Sequence, residues 1–236
     1  MLKGHVKYIS QKMLRFTVDL YIEQKKKKSC YEMEMPVGMF CDCSVSAPCG
    51  MAGIDGPLVE GESPELLYSP QRANAECIWL SSGYLTYKFP MPTTEINDWQ
   101  ELSFSFEICS ECRNYNNTWL SDITFSVNDI ELTTYTSPGD FGGRRGNYTP
   151  QCWGLSNTQF GLLKNLTISK TGVYLDDVEV RSDITIDSLK LEERSFIALK
   201  FEVKESAEHK GGMNIFGKGF GDFPQGIKLS LKAPVE

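Results

Sequence analysis

Residues 101–109 read ELSFSFEIC and residues 121–134 read SDITFSVNDIELTT. In the first stretch Leu102, Phe104, Phe106 and Ile108 alternate with Ser103, Ser105 and Glu107. Successive side chains of a strand point to opposite faces, so a period of two marks a strand with one face in a core and one in water. In the second stretch Ile123, Phe125 and Val127 lead into Asn128-Asp129, and Ile130, Leu132 and Thr134 lead out. Asn and Asp tolerate positive φ, so this pair predicts the tip of a tight hairpin.

The same pattern extends outward in both directions. Leu14, Phe16, Val18, Leu20 and Ile22 alternate with Arg15, Thr17, Asp19 and Tyr21, and Leu85, Tyr87 and Phe89 with Tyr84, Thr86 and Lys88. Further strands are predicted over 162–168, 172–180 (turning at Asp176-Asp177), 184–191, 196–203, 213–216 and 227–232. No long segment carries a helical apolar stripe. Residues 63–76 have room for a helical turn or two between Pro64 and Pro70. About ten short strands in one chain of this length predict an all-β fold: an antiparallel two-layer β-sandwich, jelly-roll-like, with long functional loops. Residues 1–30 form a basic linker with the first strand, and 31–236 form a ligand-binding sandwich.

Composition sets outer limits. Hydrophobic residues make up 41% of the 236 and charged residues 23%, enough apolar surface to build a core, which excludes disorder over most of the chain. No apolar run is long enough to cross a bilayer as a helix. The opening MLKGHVKYISQKMLRF has no apolar stretch of the secretory kind, so the expected location is cytoplasmic. The N-x-T triplets at Asn116, Asn147 and Asn165 are then incidental. Charge divides unevenly: residues 1–28 hold eight Lys and Arg against Asp19 and Glu23, a net +6, leaving 16 basic and 29 acidic residues, −13, on the remainder. A polyanion would meet the head and be repelled by the body, unless Lys25 to Lys28 are only a solvated turn.

Eight cysteines permit disulfides without requiring them, and a cytosolic location favours free thiols. Cys41-Asp-Cys43 with Cys49, and Cys109-x-x-Cys112, have knuckle-like spacing and together could supply four thiolates to zinc. A redox pair and inert buried thiols are the other readings. Otherwise no cofactor is implied.

Catalysis has little support. The two histidines, His5 and His209, lie far apart in sequence, no nucleophile elbow or H-E-x-x-H motif occurs, and the carboxylates Glu107, Asp122, Asp129 and Asp140 cannot be paired from sequence. Gly217, Gly219 and Gly221 lack the following helix of a phosphate loop. The expectation is therefore a binding protein and not an enzyme. Three long polar loops rich in aromatic residues stand out: 114–121, 137–158 and 210–226. Sugar-like ligands stack on planar rings and pair their hydroxyls with amides, carboxylates and guanidinium groups. The candidate ligand residues are Asn117, Trp119, Asp140, Arg144, Arg145, Tyr148, Trp153 and Asn157. The alternative is that Trp119 and Trp153 plug the sandwich ends, while Arg144-Arg145 could grip a carboxylate or phosphate.

The strings CDCSVSAPCGMAG, LYSPQRANAECIWLSSGYLTYKFP, EICSECRNYNNTWLSDITFSVN, YTSPGDFGGRRGNYTPQCWG and GGMNIFGKGFGDFPQGIKL resemble the C-terminal domain of bacterial ArsR-like winged-helix regulators, over roughly 200 residues. That resemblance implies an effector-sensing all-β domain of a transcriptional regulator whose DNA-reading module is absent here, since 30 strand-like residues cannot hold a winged helix. DNA would be contacted only by the missing module. The ligand is expected to be a small polar molecule, a saccharide for example, bound by a cytoplasmic protein that can associate as a homodimer. The alternatives are a carbohydrate-processing enzyme and a metal or thiol sensor working through Cys41, Cys43, Cys49, Cys109 and Cys112.

Overall fold

The computed structural model describes residues 30–92 and 98–234. The strand expected over 14–22 and the basic head lie outside them. The described chain forms thirteen strands, antiparallel at every pairing. These are β1 (Cys30–Met35), β2 (Asp42–Gly53), β3 (Gly56–Pro57), β4 (Cys77–Pro90), β5 (Glu101–Cys109), β6 (Ser121–Val127), β7 (Ile130–Ser137), β8 (Leu162–Ser169), β9 (Val173–Leu175), β10 (Val178–Arg181), β11 (Phe196–Val203), β12 (Met213–Phe216) and β13 (Ile227–Lys232).

The strands fold into two layers. One runs β2-β4-β11-β6-β7 and the other β10-β9-β8-β5-β13-β1. β12 joins them: Met213–Phe216 pair with Leu80–Cys77 of β4, and Asn214–Phe216 with Cys109–Glu107 of β5. The architecture is the antiparallel, jelly-roll-like β-sandwich that the alternation predicts. Between the layers Phe106 of β5 meets Phe125 and Phe201 of the facing layer, with ring centroids 5.2 and 4.7 Å apart, and Phe89 meets Phe104 at 5.7 Å. All five rings are buried, as are Leu102 and Ile108.

The hairpin signals mark real turns. Asn128 and Asp129 have φ of 51° and 67°, Asp176 and Asp177 of 51° and 65°. Asn128 does more than turn: its buried amide accepts from Ala198 N–H at 2.9 Å and donates to the Leu189 carbonyl at 3.2 Å, tying the hairpin to β11 and its approach. Residues 63–76 hold two short 3₁₀ turns, Pro64–Tyr68 and Pro70–Asn74, each opened by proline.

Two readings need correction. Residues 184–191 are not a strand but lead into 3₁₀ turns at Ile186–Leu189 and Leu191–Glu193. Thr185 N–H donates to Ser188 Oγ at 3.1 Å, a cap that favours a turn over extension. Ile186, Leu189 and Leu191 are still buried, so these apolar residues serve the core from a turn. The strands β1 and β2 were not predicted although both alternate, Tyr31, Met33 and Met35 against Glu32 and Glu34 in β1, and Cys43 and Val45 against Ser44 and Ser46 in β2, whose register shifts between Ser46 and Cys49, around Pro48.

Because Phe106 touches rings of both facing strands, Phe106→Ala is expected to cost about 3–5 kcal/mol. Urea unfolding followed by tryptophan fluorescence measures it; a loss below about 1 kcal/mol would contradict the described packing.

Candidate functional site

The chain leaving β5 at Cys109 reaches β6 through residues 110–120, and other loops pin this segment down. Ser110 N–H donates to the Gly139 carbonyl, Glu111 N–H to the Gly211 carbonyl at 2.7 Å, and Asn116 and Asp140 exchange backbone bonds of 3.1 and 2.9 Å. The loops 114–121 and 137–158 therefore meet. Their approach is close enough to require glycine. A Cβ on Gly139 would lie 2.4 Å from the Asn117 carbonyl oxygen, and one on Gly142 2.3 Å from the Tyr115 ring.

Beside this junction lies an open groove of ≈ 790 Å³. Arg113, Tyr115, Asn116, Asn117 and Trp119 line it from the 110–120 segment, Lys210 and Gly212 from the approach to β12, and Pro48 and Ser81 from β2 and β4. Glu111 and Cys112 line its more buried part. Trp119 is 42% exposed. Asn116 Oδ1 accepts from Thr118 N–H at 3.0 Å and Asn117 Oδ1 from Gly142 N–H at 3.1 Å. Among the described residues both Nδ2 groups are left without a partner, so two amide donors remain for a ligand.

A second depression, ≈ 670 Å³, crosses the outer face of β1, β13, β5 and β8. It presents Ser103, Ser105, Asn165, Thr167 and Ser230, and its one aromatic residue, Phe104, is buried. Lys232 pairs with Glu101 here, and Glu34 with Lys218 beyond the depression. With no exposed ring it offers a sugar face nothing to stack on.

Two buried carboxyls, Glu107 and Asp140, and the partly buried Glu111 have different tasks. Glu107 is fully buried and accepts four backbone N–H bonds of 2.7–3.0 Å from Gly161, Asp222 and Phe223, clamping two loops; burial nevertheless pushes it up to about 7. Gly221, at φ 82°, passes so close that a Cβ would lie 2.5 Å from this carboxylate. Asp140 accepts from Cys112 N–H and Thr158 Oγ1–H, both at 3.0 Å, and burial raises it to about 6. Glu111 accepts from Asn214 Nδ2–H at 2.7 Å; burial, and then the charge of Asp140, push it up to about 8.

Of the eight candidate ligand residues, the structure places Asn117 and Trp119 in the groove. Asp140 lies behind it as a buried brace. Arg144 is half-exposed, paired with Asp222 and stacked on the Phe160 ring at 3.7 Å. Arg145 donates to the carbonyls of Pro150 and Trp153. Tyr148 is exposed, and Asn157 caps a turn with its N–H on the Gly154 carbonyl. Trp153 packs against Trp79 and Phe220 and donates from Nε1 to the Thr158 carbonyl at 2.9 Å. The sequence missed Arg113, Glu111 and Lys210. The first two adjoin the loop 114–121, and Lys210 opens the Gly-rich stretch, so their neighbourhood was legible although their convergence was not.

The cysteines do not assemble. Cys41 and Cys49 point their sulfurs at the carbonyls of Thr86 and Glu62, Cys43 is buried, and Cys109 lies beside Cys77 in a small apolar cluster with Phe216 and Phe220. Among the described residues no three His, Cys, Asp or Glu side chains are placed to share a metal ion. The zinc reading of Cys41, Cys43, Cys49, Cys109 and Cys112 is corrected accordingly: Cys41 precedes β2, Cys43 and Cys49 of β2 are buried in the main core, and Cys109 lies in the separate small cluster. All eight are free thiols.

No family model matches the chain, and no curated protein does. Among solved structures it is similar to a family 36 carbohydrate-binding module in complex with calcium and xylotriose (TM-score 0.34, 6% identity, 85% of this chain and 98% of that one). It is also similar to the C-terminal family 6 carbohydrate-binding module of LamC, a marine laminarinase from Zobellia galactanivorans (0.32, 9%, 86% and 99%), and to dimeric latent PorU from Porphyromonas gingivalis (0.34, 12%, 85% and 14%). None of the three is a regulator domain. The resemblance to ArsR-like sensor domains is overturned by this outcome, and with it the transcriptional role and the DNA-reading parent; the homodimer has no support here either. Among the described residues no helix is long and apolar enough to cross a membrane.

The raised carboxyls set the sign of a pH effect. A carboxyl whose folded pKa is raised stabilises fully below its unfolded pKa, and that contribution is lost as pH climbs through the folded value. Asp122 and Asp222, held low by hydrogen bonds and by His209 or Arg144, act oppositely and only on the acid side of about 4. The melting temperature is therefore expected to fall between pH 5 and 8. Glu111→Gln, which keeps the acceptor for Asn214, is expected to flatten the upper part of that fall; scanning calorimetry across pH measures both, and a melting temperature that rises over this window contradicts the assignment.

Proposed function

We propose that this chain is a non-catalytic saccharide-binding module whose ligand lies along the groove of Tyr115, Asn116, Asn117 and Trp119. The observation that carries the reading is a tryptophan ring left open to solvent beside two unpartnered amide donors. The C–H face of a pyranose covers such a ring, and its hydroxyls accept from the Nδ2 groups. The lining supports binding without turnover, because Glu111 is its single carboxyl among the described residues. Glycoside hydrolysis by a carboxylate pair needs a second one facing the sugar, whereas Asp140 and Glu107 are buried in structural hydrogen bonds.

Titration calorimetry with gluco-, xylo- and uronic-acid oligosaccharides tests this. Trp119→Ala is expected to weaken binding by about tenfold or more while leaving the melting temperature within about a degree or two, since the ring is exposed. No heat with any of these sugars at millimolar concentration, or undiminished affinity in Trp119→Ala, overturns the reading.

A further inference from the structure

We infer that the groove selects saccharides bearing an anionic substituent, with Arg113 as the partner of that anion and Lys210 as a second cation. This rests on the saccharide reading above and specifies its ligand class. The described sandwich belongs to the part of the chain that is net acidic, and many of its cations face an acid: Arg144 meets Asp222, Lys164 Asp176, Arg181 Asp183 and Lys204 Glu131. Arg113 departs from this pattern. It lines the groove, yet among the described residues its guanidinium has no ion pair, hydrogen bond or stacked ring. Lys210 has one acid near it, Glu205 at 3.8 Å, and both side chains are largely solvated, an arrangement of little strength. Two cations thus line the same groove as the ring that would carry the sugar.

The remaining charge in the groove does not cancel them. Glu111, raised by burial and then by Asp140, lines it as a neutral carboxylic acid at pH 7. A guanidinium presents parallel N–H donors that match a planar carboxylate in two bonds and also hold the oxygens of a sulfate ester. A uronate and a sulfated pyranose share this chemistry, and Trp119 and Tyr115 would stack either ring.

The test uses the full chain at 0.15 M salt with three probes: oligogalacturonate, a sulfated galactan oligomer and neutral xylo-oligosaccharide. Each is titrated into the native protein and into Arg113→Gln, Lys210→Gln and Trp119→Ala. Expected is roughly tenfold tighter binding of at least one anionic probe than of the neutral one. Which anionic probe leads distinguishes carboxylate from sulfate. Arg113→Gln is expected to abolish that preference while leaving neutral-sugar affinity within about twofold. Equal affinity for neutral and anionic probes, or a preference that survives Arg113→Gln, overturns the inference and leaves the saccharide reading standing. Anion binding that persists through both Arg113→Gln and Trp119→Ala is capture by the Lys25–Lys28 run and also overturns it. Silence with every probe removes both.

Discussion

The two β-layers, packed face to face through their rings, are also one continuous hydrogen-bonded sheet, and that continuity rests on the four residues of β12. Met213–Phe216 bond to β4 on one side and, through Asn214–Phe216, to β5 on the other, so a single short strand belongs to both layers. The consequence reaches the groove. Asn214 is buried at this seam, and its amide donates to the Ser110 carbonyl and to Glu111 at 2.7 Å each. The segment bearing Tyr115 and Trp119 is thus tied at its start to the strand that bonds to both layers.

Much of the sandwich was legible because a core between layers imposes a period of two, and β5, β6, β7, β11, β12 and β13 obey it with little interruption. The segment 184–191 failed because Ile184 and Ile186 imitate alternation, while Thr185 and Ser188, three apart, favour a capped turn. β2 was missed for another reason: its register shifts part-way along, between Ser46 and Cys49, and Cys41, Cys43 and Cys49 drew attention as ligands when Cys43 and Cys49 are buried residues of that strand. The loops were recognisable as polar and aromatic. The fates of their tryptophans were not, since Trp153 packs against Trp79 of β4 and Phe220 of the β12–β13 loop, both distant in sequence, and no property of residues 150–158 announces that contact.

The buried acids show how similar side chains take on different roles. Glu107 and Asp140 are surrounded by N–H and hydroxyl donors and serve as fasteners between loops. Glu111 has the Asn214 amide and stands at the groove's inner side. Burial raises all three, to about 7, 8 and 6 for Glu107, Glu111 and Asp140, so Glu111 at the groove's inner side is the one that favours its protonated form at neutrality. An acidic protein can in this way keep a locally uncharged or cationic recess.

The contact between Asn116 and Asp140 is made by backbone alone, and Gly139 and Gly142 bring that backbone close without a side chain in between. Asn116 Oδ1 holds its own turn through Thr118 N–H, whereas the side chains at 113 and 119 hang from a frame whose course they do not determine. Exchanging them alters what the surface recognises while the chain path stays put, as tools are changed in a fixed handle, and divergence of taste can proceed one residue at a time.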